Sequence, residues 1–490
     1  MNKHYQGLVF SLFACFMLSL PFCPPVDIVT PDKEIFTYAG ELLHKGLIPY
    51  RDLFDHKPPL IYFFNYAGIF LGGPWAFWLL NILLALGTTG LLYRCCQNHR
   101  IRWPWLLPLL FNLMLRDFLV SKGMGMTREY TTCFLVLFFC VLMGRNRYRH
   151  YIAGALAGLI FFTQQEQALL LIPLSIYFLA SKDPRPPTHR LLQMAGGFLT
   201  VLLPIAGFFA LHGALGDLWR DAFQFNLRVY ITEKKSLGDH FRTIKHVLDA
   251  GNYEFPFMIA FCLGLTALIS QTKRKGLILA AFIALLLTFI PELMGGRTKG
   301  ASDNFTFFYY FVPLAATVPI LLFAVLAGGM IPETAQIRLP VALLLCTSLL
   351  YTSLQHAANL TLRRRDPALN TPELSYLRQH KPANYQLYVV FNDDALVAYN
   401  EFHILAPSPW LYQHFWTWYP DWDGDGSILH MIGDDLLRHR TTYLLMDPGA
   451  PATIRNPANA AWWLNFIQKY YQPVPLSGTG KSALWQLKDN

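Results

Sequence analysis

Residues 26–59 read VDIVTPDKEIFTYAGELLHKGLIPYRDLFDHKPP. Acids and bases crowd this stretch: Asp27, Asp32, Lys33, Glu34, Glu41, Lys45, Arg51, Asp52, Asp55, His56 and Lys57. Apolar runs flank it, Leu8–Phe22 before and Trp75–Tyr93 after. Each comes close to the ~20 residues that a helix needs to cross a bilayer. A connection between two such helices can be short and bland. This one carries dense charge, a Gly46–Pro49–Tyr50 turn and a stiff Pro58–Pro59 exit, so a polar site at a membrane surface is expected.

The rest of the chain points the same way. Of its 490 residues, 53% are hydrophobic and only 14% charged, against roughly 25% charged in soluble domains. A polytopic α-helical membrane protein is therefore predicted. Apolar runs at 7–23, 73–93, 104–120, 130–144, 151–164, 167–180, 192–212, 256–270, 276–293, 305–328 and 339–357 suggest about eleven transmembrane helices. The pair 151–164 and 167–180 could also be one broken hairpin. The first run ends in Pro-Phe-Cys-Pro-Pro and lacks a small-x-small cleavage pattern, so an uncleaved first helix is expected.

Loop charge sets the expected orientation. Arg94, Arg100 and Arg102 share one loop; Arg145, Arg147 and Arg149 another; then come Lys182, Arg185 and Arg190, and Lys273, Arg274 and Lys275. These loops are nearly free of acid and should be cytoplasmic. The N-terminus is then inside and residues 26–59 face outward. An odd helix count puts the tail outside too. The same bias explains much of the net charge of +9, so no nucleic-acid partner is implied. The eight cysteines lie mostly in apolar runs, with neither metal-ligand spacing nor a disulfide framework.

The chain divides into a membrane part, 1–357, and a polar tail, 358–490. Arg363-Arg364-Arg365 and Thr371-Pro372 mark the join. In the tail, β-rich Gln386–Phe391 and Thr442–Met446 alternate with helical patterns at Thr371–His380, Ile428–Arg438 and Ala460–Tyr471. A small extracytoplasmic α/β domain is expected. Asp217–Glu254 is aromatic and mixed in charge, and should hold a helix lying on the membrane. GGRTKGASDN at 295–304 leads into Phe305–Phe311, an aromatic run suited to an interface belt.

Several residues could carry chemistry. Asp32 follows a proline at a helix start, where it could be the N-cap or a carboxylate that takes a proton from an acceptor hydroxyl. Lys57 stands before two prolines, and its ammonium suits a lipid phosphate. Asp55 and His56 beside it could equally form a turn. Arg51-Asp52 reads most simply as an internal ion pair. Glu129, after Arg128, sits at a helix start where an acid favours the helix dipole, or where it could share a site with Asp32. Gln164-Gln165-Glu166-Gln167 is either a tight hairpin tip or a hydrogen-bonding element for sugar hydroxyls. Arg297 and Lys299 on glycine-rich backbone could form a second phosphate clamp. Asp421–Gly426 resembles half a calcium loop, but Ile432 stands where the bidentate Glu belongs, so an ordinary turn is expected.

TPDKEIFTYAGELLHKGLIPYRDLFDHKPPLIYFF at 30–64 resembles the first outer loop of GT-C glycosyltransferases of the protein O-mannosyltransferase/aminoarabinose-transferase superfamily. The shared features are an Asp near its start, "A..ll.G..pYrD", then "d.KPPl.y". Arg128-Glu129-Tyr130 resembles the family's acidic position in the second outer loop. Arg297 with Tyr309-Tyr310-Phe311-Val312-Pro313 is similar to its "GR…HYfl.llP" segment, without the His. The Gln164–Gln167 element resembles a "KQ" motif without the Lys.

The resemblance implies a GT-C fold and transfer of a sugar from a polyprenyl phosphate, at the outer face of a bacterial inner membrane, with inversion. The acceptor would be a lipid, glycan or protein. Asp32 and Glu129 would be the catalytic carboxylates, and Lys57 and Arg297 would hold the donor phosphate. Asp55, His56, Arg51, Gln165 and Tyr309 would support the site. No cofactor is certain, and a divalent cation stays open. The competing classes are a transporter or flippase of polyprenyl-linked or other lipids, and a membrane-anchored assembly protein. Transporters usually show polar or broken midplane helices and repeats, whereas here the polar groups lie in outer loops.

Overall fold

The computed structural model describes residues 3–24, 30–117, 124–230, 253–270, 272–290, 311–329, 371–391, 393–411, 423–446, 454–476 and 483–488, with a few isolated positions between them. Helices fill most of this chain. They are α1 (Lys3–Ser19), α2 (Pro31–His44), α3 (Leu60–Gly72), α4 (Pro74–Asn98), α5 (Leu106–Leu115), α6 (Thr127–Met143), α7 (Arg149–Thr163), α8 (Leu171–Ala180) and α9 (Pro187–Leu211). Beyond them come α10 (Glu254–Ile269), α11 (Lys275–Leu287) and α12 (Leu314–Ala327). Each apolar run up to 305–328 contains one of these helices, and the run 339–357 lies outside the described residues. Tyr5–Phe22, Pro74–Asn98 and Pro187–Leu211 are long and apolar enough to cross a bilayer.

Two boundaries differ from expectation. The run 104–120 gives a helix only to Leu115, because Arg116 and Asp117 turn the chain out of it. Helix α3 is a separate helix that precedes the apolar run at 73–93. Gly72 and Gly73 both adopt positive φ and break α3 from α4. The suspected hairpin is a helix, a 3-10 turn over Gln165–Leu170 and a second helix, α8, which packs chiefly against α11.

The exterior is that of a membrane protein. Leu79 and Leu83 on α4, and Leu192, Leu199 and Leu203 on α9, stand exposed along helix flanks. Soluble proteins rarely leave apolar surface in such continuous array. Among the described residues the charged side chains of the bundle lie instead towards its two ends. At one end Asp183 binds Arg149 and Arg185, His150 approaches it at 3.8 Å, and Arg274 meets His99 at 3.4 Å.

Helices α7 and α9 cross at glycines. A Cβ on Gly154 would collide with the carbonyl of Met194, and one on Gly197 with the carbonyl of Tyr151. Lipid gives no hydrophobic drive to helix pairing, so close backbone contact has to supply it. Gly154→Leu and Gly197→Leu should therefore each lower the melting temperature in detergent markedly and broaden the gel-filtration peak. Gly196→Ala, whose Cβ would approach Tyr151 only at 3.7 Å, should leave both unchanged. Equal tolerance at all three positions would show that this crossing does not depend on its glycines.

After α9 the chain forms a helix over Leu215–Leu218 that continues with π winding through Trp219–Gln224 and Asn226–Tyr230. Leu215, Trp219 and Leu227 are exposed on it, while Leu218, Asp221, Ala222 and Phe225 are buried. Near the C-terminus four strands form one sheet in the order β1-β2-β4-β3: β1 (Leu387–Val390), β2 (Tyr443–Met446), β3 (Tyr471–Pro473) and β4 (Ala483–Leu487). Strands β1 and β2 run parallel, and β4 is antiparallel to both its neighbours. Around the sheet lie α13 (Pro372–His380), α14 (Val397–Phe402), α15 (Ser427–Arg438) and α16 (Pro457–Tyr470). Asp423 accepts hydrogen bonds from the Ile428 and Leu429 amides and from the Trp416 indole, which commits it to the start of α15.

Candidate active site

Helix α2 starts two residues earlier than an Asp32 cap would place it. Thr30 is the N-cap and its hydroxyl accepts from the Lys33 amide at 3.4 Å, with Pro31 in the first turn. Asp32 is thereby released from capping. Its half-buried carboxylate makes no hydrogen bond or ion pair among the described residues, and lies within electrostatic reach of His56. Lys33 lies within reach of Glu34 and Glu129; burial lowers its pKa to about 8 against the pull of both carboxylates.

Asp55-His56-Lys57 forms a buried strap. One Asp55 oxygen accepts from the His56 amide at 2.6 Å and the Lys57 amide at 3.4 Å, and the other from the Tyr62 hydroxyl at 2.7 Å. Burial alone would raise the Asp55 pKa, but the His56 contact, nearby Lys57 and the Tyr62 hydrogen bond bring it below the ordinary carboxylate value. Burial, and then Lys57, lower that of His56 against the opposing pull of Asp55. The Lys57 carbonyl is fixed by Tyr50 at 2.6 Å and Tyr62 at 3.3 Å. Lys57 is largely buried, and its ammonium forms no ion pair or hydrogen bond among the described residues. From the π-wound helix, Asn226 donates to the His56 carbonyl at 2.7 Å.

Glu129 sits in the first turn of α6. One oxygen pairs with Arg116 at the end of α5, and the other accepts from the Gly125 amide at 2.6 Å. Both side chains of the pair are buried. Arg128 binds Glu166 at 3.1 Å, Thr127 donates to Gln164 at 2.5 Å, and Gln164 also reaches Glu166. Gln165 turns away, donating to the Ala222 carbonyl at 2.9 Å. Arg51 binds Asp52 at 3.0 Å at the surface, and Asp52 accepts from the Ile48 amide at 2.7 Å.

The structure therefore gathers Asp32, Lys33, Asp55, His56, Lys57 and Glu129 at the end of the bundle opposite Asp183. Arg51 and Gln165 serve its periphery. Arg297, Lys299 and Tyr309 lie outside the described residues. Arg116, Tyr62 and Asn226 were missed. Arg116 carried the one usable signal, a charge pair with Asp117 inside an apolar run. Among the described residues no three His, Cys, Asp or Glu side chains gather as metal ligands.

The described residues form a helical bundle with a polar candidate site at one end and a sheet near the C-terminus. The chain shares its fold along 97% of its length with the crystal structure of ArnT from Cupriavidus metallidurans bound to undecaprenyl phosphate, at TM-score 0.62 and 13% identity, covering 97% of that chain. The apo structure of the same protein gives TM-score 0.60 at 13% identity, with the same coverage. No family model matches the chain, and no curated protein does. The fold expected from residues 30–64 is the fold found.

Proposed function

We propose that this protein is a membrane glycosyltransferase that moves a sugar from a polyprenyl-phosphate donor to a lipid, glycan or protein acceptor at the outer face of an inner membrane, with inversion. The N-terminus would be cytoplasmic and the C-terminal sheet periplasmic. One observation carries this reading. In the first loop, Asp32 and Lys57 present charges uncommitted among the described residues, while Glu34, Glu41, Lys45, Arg51, Asp52 and Asp55 are all engaged with protein groups.

Those two charges are what the reaction needs. As the anomeric carbon–phosphate oxygen bond breaks, the oxygen keeps the bonding electrons and the sugar takes on oxocarbenium character. The Lys57 ammonium stabilises the departing phosphate. Asp32 takes the proton from the acceptor hydroxyl as it attacks the opposite face. Arg297 would be a second phosphate ligand. An apolar cleft of about 530 Å³ between α8 and α11, lined by Ile172, Ile176, Tyr177, Leu279, Ile283 and Leu287, reaches Leu169, three residues beyond Glu166. It would take part of an isoprenoid chain. The likeness to an ArnT holding undecaprenyl phosphate supports the donor class.

The test is release of free polyprenyl phosphate by purified protein offered a panel of polyprenyl-phosphate sugars with crude membrane extract, with and without a chelator. Sugar-dependent release is expected. In Lys57→Ala the donor KM should rise at least tenfold, the loss of about one charge-assisted hydrogen bond. Donor binding with no release from any sugar would instead favour a transporter of polyprenyl-linked lipids.

A further inference from the structure

Residues 397–411, between β1 and β2, touch both halves of the site. On α2 the contacts fall at Glu34, Tyr38, Glu41 and Lys45. Asn400 donates to the Glu34 carboxylate at 2.6 Å and to its carbonyl at 2.9 Å. The Ala406 amide donates to the Tyr38 hydroxyl at 2.9 Å, His403 lies 3.4 Å from Glu41, and Lys45 donates to the His403 carbonyl at 2.6 Å. Spacings of four, three and four residues define one helix face. Asp32, two residues before Glu34, is about 200° further round the helix and belongs to the opposite face.

The far end of the same segment meets the strap. The Phe54 amide donates to the Pro409 carbonyl at 2.9 Å, and the Phe54 ring lies 4.5 Å from Trp410. Phe54 immediately precedes Asp55. The segment is itself tied to the sheet: the Tyr385 amide donates to the Leu405 carbonyl at 2.7 Å, and the Tyr388 hydroxyl to the Trp410 carbonyl at 2.6 Å.

We propose that residues 397–411 hold Asp32 and Lys57 in register, with Asn400 as a positioning residue that sets the rotation of α2, and Pro409–Trp410 as the anchor of the strap. The proposal rests on the transferase reading. Reacting groups tolerate displacements of only about 0.5 Å, and a helix held by packing alone can turn on its axis by more. A row of polar contacts on its back face prevents this. The C-terminal sheet is then a frame for the site in the membrane part.

The experiment is a charge exchange. Asn400→Asp sets a carboxylate against Glu34 and should lower kcat at least tenfold, with donor KM within twofold. Adding Glu34→Gln restores a donor–acceptor pair, with its direction reversed, and should bring kcat back to within threefold of wild type. Trp410→Ala should do the converse, raising donor KM more than it lowers kcat. Hydrogen exchange of the α2 amides should quicken in Asn400→Asp and return in the double variant. Wild-type kcat in Asn400→Asp, or no recovery in the pair, overturns the proposal. If wild type releases no polyprenyl phosphate, the transferase reading fails. Exchange then decides the docking alone, and unchanged rates in Asn400→Asp would overturn it too.

Discussion

Asp32→Asn is expected to lower the transfer rate by about 10²–10⁴-fold, the usual contribution of a positioned general base, while the protein stays folded. Thr30, not Asp32, caps α2, so the substitution removes no helix-capping hydrogen bond. The carboxylate has no hydrogen-bond or ion-pair partner among the described residues, so none is orphaned. Stability should shift by no more than about 0.5 kcal/mol. Transfer assays with a melting curve on the same preparation check both halves. An Asp32→Asn protein that transfers sugar at the wild-type rate would remove Asp32 from the mechanism.

Glu129→Ala should do the reverse and strike stability first. It strands the Arg116 guanidinium, buried at the end of α5, and leaves the Gly125 amide without its acceptor. Breaking a buried pair by removing one partner costs about 3–5 kcal/mol, so a large drop in melting temperature in detergent is expected. Replacing both partners, Arg116→Met with Glu129→Leu, should recover most of that loss, since apolar pairs of similar volume often serve as well. The double variant also separates the two roles of Glu129. If it is folded and inactive, the carboxylate acts in the reaction beside Asp32. If it is folded and active, Glu129 only holds α5 to α6.

Much of this was legible in the chain itself. Apolar length announced the helices, and the charged loop between α1 and α3 pointed to the candidate site, because it carries far more charge than a connection between two helices needs. What could not be read was which charges are spent on structure. Asp55 and Lys57 are two residues apart, yet one is tied by three donors and the other forms no hydrogen bond or ion pair among the described residues. Arg116 disappeared into an apolar run, since its partner lies in a different helix. The contacts of α2 with Asn400 and Ala406 join residues more than 360 positions apart, a distance over which periodicity says nothing. Strands β3 and β4 escaped for a related reason: such short stretches gain meaning only from the ladder in which β4 joins β2 to β3.

The Asp183 cluster bears on how the chain is made. Arg185 stands two residues from Asp183 in the same loop, whereas Arg149 belongs to an earlier one and cannot meet Asp183 until α7 and α8 are threaded between them. Until then Arg149 is a bare positive charge, able to bias which side of the membrane its loop stays on. In the orientation proposed above it later closes on Asp183 and becomes a latch across the cytoplasmic end. The same arginine would then work twice, first as steering during insertion and afterwards as a fastening that makes the chosen topology hard to undo.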